Sequence, residues 1–317
     1  YHVIHFFMAV LGIGSSACIP GTGQSDIFNK KHAVNTANVL SSLTEMCNLI
    51  FGRDSLPKSR ISGKTINFDV SMSKLIVFIQ GSGWTFPNIN YHLPHISQFA
   101  MAGYVVATVT HRSCNDGHPA PAFLRDVKAA IRYLRAHAEE HQIDPTRVAA
   151  WGTSSGGNTA LLLGLTGDDK RYTSDVHPEQ ADAVKAVVDV FGPTDMMSLF
   201  VTRFGPYETA ELDPGAEAYF NRILGASWKT AEGRAAADAI SPLQILREGM
   251  ELPPMQLLYG DADPVVPYDQ GERMYEKLCS LGYDADFVRV LGAEHEGNFW
   301  SQAVLDEIAA WLDARMK

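Results

Sequence analysis

Long runs of positive charge are missing from this sequence. No stretch of Lys and Arg reaches five residues, and 26 basic residues face 36 acidic ones, for a net charge of −10. A nucleic-acid backbone finds no electrostatic footprint in such a chain, and polyanionic substrates are mildly disfavoured. Cysteine is scarce. Cys18, Cys47, Cys114 and Cys279 stand far apart with no C-x-x-C, which speaks against a zinc site or a thioredoxin-type pair. A Cys18–Cys47 disulfide would go with export and four free thiols with a reducing compartment, and the sequence leaves both open. It carries no H-E-x-x-H and no clustered ligand set, so neither a catalytic metal nor another cofactor is expected. No apolar run is long enough to span a bilayer. Internal repeats and low-complexity tracts are absent as well.

Two short motifs are decoys. Gly12-Ile-Gly-Ser-Ser-Ala17 matches a loose dinucleotide fingerprint, but Pro20 and Gly21 break any helix after it. Gly63-Lys64-Thr65 resembles the end of a phosphate loop, yet Lys58 occupies the place of the required earlier glycine.

What is present is an ordinary globular composition, 46% hydrophobic and 20% charged over 317 residues. Residues 1–17 are set apart: the apolar run from His5 to Gly14, followed by Ser15, Ser16, Ala17 and Cys18, looks like a signal segment with a lipoprotein-like cleavage site. No Lys or Arg precedes it, so a packed N-terminal segment is the alternative, and a secreted or lipid-anchored protein stays open against a cytoplasmic one. Residues 18–317 read as one domain. Within it, residues 18–72 are irregular, with a helix expected near Val34–Phe51 and an edge strand near Ile66–Val70.

From residue 74 onward, short β-branched runs alternate with helix-patterned segments. Leu75–Ile79, Tyr104–Val109, Val148–Trp151, Ala186–Phe191, Met255–Tyr259 and Phe287–Val290 are continuous apolar runs of the kind expected for strands covered on both faces. Val127, Ala130, Ile131, Leu134 and Ala138 form one stripe of a helix expected to end near His141. A second helix runs from Tyr268 to Leu281 with Gly282 as C-cap, and a last one carries Val304, Leu305, Ile308, Trp311 and Leu312. The fold class is α/β: a mostly parallel sheet with helices on both faces. An insertion at about 193–250 holds Met196, Met197, Phe200, Phe204, Tyr207, Tyr219 and Phe220. It reads either as a cap over a pocket or as two packing helices.

The chemistry centres on Gly152-Thr153-Ser154-Ser155-Gly156-Gly157, a G-x-S-x-G between a strand and a helix. That turn is so tight that residues flanking the serine must lack bulk, and its strain lifts the hydroxyl out at the carboxyl end of the sheet. The following N–H, that of Ser155, sits at a helix N-terminus, where it can serve a developing oxyanion. A serine needs a base, and the base an orienting acid. Asp263 follows the strand ending at Tyr259, and His295 follows the strand ending at Val290. Asp263 stands before Pro-Val-Val-Pro in the loop leaving its strand, whereas Asp261 is read as lining the turn. His295 is the only histidine beyond residue 177, and the other ten are read as surface or structural.

These residues resemble the α/β-hydrolase superfamily, and more closely its esterase branch related to hormone-sensitive lipase and to carbohydrate-ester esterases. His111-Arg112, the stretch Pro119–Ala130, Ile143-Asp-Pro-Thr-Arg147 and Phe191-Gly-Pro-Thr-Asp195 extend the resemblance over about residues 70–315. It implies hydrolysis through an acyl-enzyme, with Ser154 as nucleophile, His295 as base and Asp263 as its orienter. The second oxyanion donor belongs to Gln80-Gly81-Ser82-Gly83-Trp84, where the usual pattern is H-G-G-G, so Gln80 and Ser82 depart from it. Ser82 and Ser155 are expected to donate, with Gly81 and Gly83 permitting the turn. Trp84, Phe200 and Phe204 are expected around the substrate.

The implied substrate is a small-molecule or carbohydrate-linked ester, with acetyl or feruloyl groups among the acyl candidates. A peptidase of the prolyl-oligopeptidase type is a second reading. A non-catalytic binding protein on the same scaffold is a third, though such a protein would be expected to lack a triad member. Oligomeric state is left open.

Overall fold

The computed structural model describes residues 5–9, 16–18, 72–205 and 214–317. The helix expected at 34–51 and the strand expected at 66–70 lie outside them, as do Cys47 and Tyr207. A Cys18–Cys47 bond therefore also lies outside the description. Cys114 and Cys279 are free thiols.

Strand β1 (His5–Ala9) lies within residues 1–17, and β2 (Ser16–Cys18) crosses the boundary expected after residue 17. All six expected runs are strands: β3 (Ser73–Ile79), β4 (Val105–Val109), β5 (Ile143–Thr153), β6 (Ala186–Val190), β7 (Met255–Gly260) and β8 (Ala285–Val290). They form one sheet in the order β2-β1-β4-β3-β5-β6-β7-β8. From β4 to β8 every neighbouring pair is parallel; β1 runs antiparallel to β4 and to β2.

Parallel strands need crossovers, and the helical segments supply them. In chain order these are α1 (Leu93–Met101), α2 (Ala122–Ala136), α3 (Ser155–Thr166), α4 (Met196–Phe204), α5 (Pro214–Leu224), α6 (Ala231–Asp238), α7 (Pro242–Ile245), α8 (Asp269–Ser280) and α9 (Gln302–Arg315). Leu75–Ile79, all of β4, Val148–Thr153, and all of β6 and β7 are buried, as continuous apolar runs require. Each fully buried Val, Leu or Ile side chain contributes about 1.5–3 kcal/mol.

Three details differ from expectation. First, β8 is only half-buried, with Asp286 and Arg289 exposed, because among the described residues it is an edge strand with one neighbour. Second, α2 stops at Ala136, five residues early. The chain turns there through Gln142, whose φ is +56°, and the Ile143 N–H closes onto the Ala138 carbonyl at 2.8 Å to start β5. Ala138 still packs in the core. Third, the described residues of the insertion form four helices, α4–α7. The C-terminal helices match their patterns, and Gly282 takes φ +78° after the capping residue Leu281.

The carboxylates of the motif-like stretches serve the scaffold. Asp126 pairs with Arg112 at 2.9 Å, Asp144 with Arg147 at 2.6 Å, and Asp195 both accepts the Ser198 N–H at the start of α4 and meets Arg273 at 2.9 Å. Among the described residues no helix is long and apolar enough to cross a membrane.

Candidate active site

Ser154 stands between β5 and α3 with φ +54° and ψ −124°. A non-glycine residue pays for that conformation, and the packing around the turn enforces it. The Ser154 N–H is bound by the Val190 carbonyl at 2.9 Å, and the Asn158 N–H returns to the Ser154 carbonyl at 3.0 Å. At Gly152 a β-carbon would lie 2.0 Å from the Gly156 carbonyl oxygen, so the strand can pass this close to the helix only without a side chain. The helix that follows is buried on every side, and its first N–H groups have no partner within the helix.

His295 comes from the loop after β8. Its Nε2 lies 3.0 Å from Ser154 Oγ and its Nδ1 2.7 Å from Asp263 Oδ2. The ring packs against Phe191, 4.5 Å between centroids. Asp263 is almost fully buried, and its other oxygen accepts the Val265 and Val266 N–H groups at 2.7 and 2.9 Å. That leaves one carboxylate oxygen for the imidazole and fixes its direction. Asp261 points elsewhere: it pairs with Arg289 at 2.7 Å and accepts the Gly292 N–H at 2.6 Å. Three side chains far apart in sequence thus form one hydrogen-bonded line, a geometry able to pass a proton from Ser154 to His295 while Asp263 holds the imidazole.

The loop after β3 lies against this line. The Gly81 N–H donates to Thr153 Oγ1 at 3.0 Å, and the Ser82 N–H donates to Ser155 Oγ at 2.9 Å. The donor expected of Ser82 is therefore directed at a neighbouring hydroxyl. The Gly83 N–H has no partner among the described residues. At Gly83, φ is +58° and a β-carbon would sit 2.1 Å from the Tyr219 hydroxyl oxygen, so a side chain there would strain the backbone and displace that tyrosine.

A cavity of about 380 Å³ opens at Ser154 and His295, lined by loop residues 80–83, Phe86, Asn88, Tyr91 and Glu296. Of the three aromatic residues expected there, two are elsewhere. Phe200 is fully buried against Phe220 and Trp228, in the core of the insertion. Trp84 is buried and faces Phe123. Phe204 ends α4, and its side chain lies outside the described residues. The rings that do line the cavity are Phe86 and Tyr91, both more than half exposed.

A buried polar chain runs beside the site. His92, read only as surface or structural, places Nδ1 2.6 Å from Gln80 Oε1 and Nε2 3.1 Å from Glu296 Oε2. The Trp300 indole N–H donates to the same Glu296 oxygen at 2.8 Å. Burial pushes the Glu296 carboxyl up, but the His92 contact and charge together with the Trp300 N–H outweigh it and hold the group below the usual range. The signals for this chain were Gln80, standing where the H-G-G-G pattern has histidine, and an acidic residue directly after His295. Deeper still, Asp189 accepts the Gly192 N–H at 3.0 Å and meets the Tyr259 hydroxyl at 2.6 Å. Complete burial pushes its carboxyl up to about 8.

The family model described as BD-FAE matches residues 67–278. Esterase LipC of Mycobacterium tuberculosis is 27% identical over 224 residues, covering 70% of this chain and 52% of that protein. A structure titled as a truncated form of a carbohydrate esterase from gut microbiota superposes with a TM-score of 0.62 at 28% identity, over 78% of this chain and 87% of that one. A thermophilic esterase of Thermogutta terrifontis, at 24% identity and a TM-score of 0.61, over 77% of this chain and 84% of its own, shares the fold. The chain spans about half the length of the first curated relatives it matches. The family model covers well over half of the sequence, and with the parallel sheet and the strand–serine–helix turn it leads to one assignment: this chain belongs to the BD-FAE family of the α/β-hydrolase superfamily, in its esterase branch.

Proposed function

We propose that the chain is a serine carboxylic-ester hydrolase working through an acyl-enzyme, on short-acyl or aromatic esters and in particular carbohydrate-linked acetyl or feruloyl esters. The observation that carries this reading is the continuous line from Ser154 through His295 to Asp263, with contacts of 3.0 and 2.7 Å. Esterase names among the relatives, and a carbohydrate esterase among the structural neighbours, agree with it.

In this reading His295 Nε2 takes the Ser154 proton as Oγ attacks the ester carbonyl, and Asp263 holds Nδ1–H so that Nε2 faces the serine. The oxyanion is met by the Ser155 N–H at the start of α3 and by the Gly83 N–H, a donor that no described group occupies. The Ser82 N–H instead anchors its loop to Ser155 Oγ. His295 returns the proton to the leaving alcohol. Water, activated by the same imidazole, then releases the acid. Preorganised donors of this kind are worth about 2.7–4 kcal/mol each in the transition state.

The test is turnover of p-nitrophenyl esters of increasing acyl length, of methyl ferulate and of acetylated xylan, by the wild-type protein and by Ser154→Ala. Activity lost in the variant, with Ser154 labelled by a fluorophosphonate in the wild type, is the expected result. No turnover and no labelling would overturn the proposal in favour of a non-catalytic binding protein.

A further inference from the structure

Glu296, next in the chain to His295, takes φ +68°, a left-handed conformation uncommon for a residue with a β-carbon. Its side chain is 21% exposed and lines the cavity at Ser154. The carboxylate is held from the protein side. The Trp300 N–H and His92 Nε2 both meet Oε2, and His92, itself 1% exposed, is pinned on its other face by Gln80. Oε2 is engaged inside the protein, which leaves Oε1 for the cavity. Here Oε1 has no partner among the described residues. The site thus contains an anchored, acceptor-only group next to the base.

Its place relative to the reaction follows from its neighbour. His295 hands its proton to the leaving alcohol, so the residue flanking His295 meets the alcohol portion of the ester rather than the acyl portion. We propose that Glu296 Oε1 accepts a hydrogen bond from a hydroxyl of the leaving alcohol, and that it selects polyhydroxylated ring alcohols over simple ones. The proposal rests on the esterase reading above and names its leaving-group class. A site built to receive a hydroxyl discriminates against an alcohol that lacks one, because such a ring covers the carboxylate oxygen and displaces its water without replacing the hydrogen bond. Phe86 and Tyr91, 63% and 53% exposed on the same cavity, offer apolar faces to the ring that carries those hydroxyls.

The test compares kcat/KM for acetate release from a monoacetylated methyl xyloside and from cyclohexyl acetate, a ring ester without hydroxyls. The wild type is set beside Glu296→Gln and Glu296→Asp. The glutamine keeps an oxygen for Trp300 and His92 but turns an amide N–H to the cavity. The aspartate keeps the charge and withdraws it from the substrate. In both variants the xyloside-to-cyclohexyl ratio is expected to fall about tenfold, the loss of one charge-assisted hydrogen bond, and chiefly through the xyloside KM. A ratio unchanged in both variants, with the two rates falling in parallel, would overturn the proposal and leave Glu296 a loop-positioning residue. That result would leave the esterase reading intact, whereas a wild type inactive on both esters and on p-nitrophenyl acetate would remove the two together.

Discussion

The Tyr219 hydroxyl donates to the Gly83 carbonyl at 2.7 Å, tying helix α5 of the insertion to the loop that faces Ser154. The insertion is a group of packing helices, and none of its described residues lines the cavity at Ser154. Its aromatic residues pack on each other, as in Phe200 on Phe220, and one of its tyrosines reaches the loop at Gly83. Tyr219→Phe removes one neutral hydrogen bond and leaves the ring. It is expected to lower kcat on p-nitrophenyl acetate about three- to tenfold with little change in thermal stability. An unaltered kcat would show that the insertion does not position the Gly83 loop.

The two aspartates after β7 make a paired test. In Asp263→Asn the carboxamide oxygen can keep the Val265 and Val266 N–H groups, which turns its NH₂ toward His295 Nδ1. The imidazole must then present Nε2–H to Ser154 and cannot take its proton. A fall in kcat of about 10³–10⁴ is expected. Asp261→Asn, which disturbs only the Arg289 pair and the Gly292 turn, is expected to stay within about threefold. Steady-state kinetics on one ester separate the two, and equal losses would refute the assignment.

Asp189 leads to a stability prediction with a definite sign. Its folded carboxyl titrates near 8 because it is fully buried, against about 4 in an unfolded chain. Between those values the unfolded state has given up the proton and the folded state has kept it. The group therefore costs stability progressively as pH rises from about 4 to about 8. The neutral Asp189→Asn carries no such penalty. Urea unfolding of both proteins at pH 5 and pH 8 should show the difference moving in the variant's favour at the higher pH. A difference that does not change with pH would mean Asp189 is ionised in the fold.

Asp182 is buried between Lys128, at 2.6 Å, and Arg132. Burial lowers the Lys128 pKa, and the adjacent Asp182 opposes that shift. Asp182→Ala leaves two buried cations without their counter-ion. A loss of about 3–5 kcal/mol in unfolding free energy is expected, read by denaturant titration. A loss below about 1 kcal/mol would show that water reaches the cluster.

Much of this protein was determined by local sequence. Hydrophobic period and length placed the six parallel strands, because a strand covered on both faces needs an unbroken apolar run. The Gly152–Gly156 turn was legible because the constraint on the serine arises within a few residues. Asp263 and His295 could be picked out because parallel strands all deliver their following loops to one edge of the sheet. Only tertiary structure decided the rest. Nothing in the order of residues says that Gln80, His92 and Glu296 meet, that the Ser82 N–H is occupied by Ser155 Oγ, or that Phe200 turns into the insertion while Phe86 and Tyr91 face the cavity. Such pairings depend on which side chains the packing brings within about 3 Å and which it leaves in water. A residue's own chemistry sets what it can bond, and the fold chooses the partner.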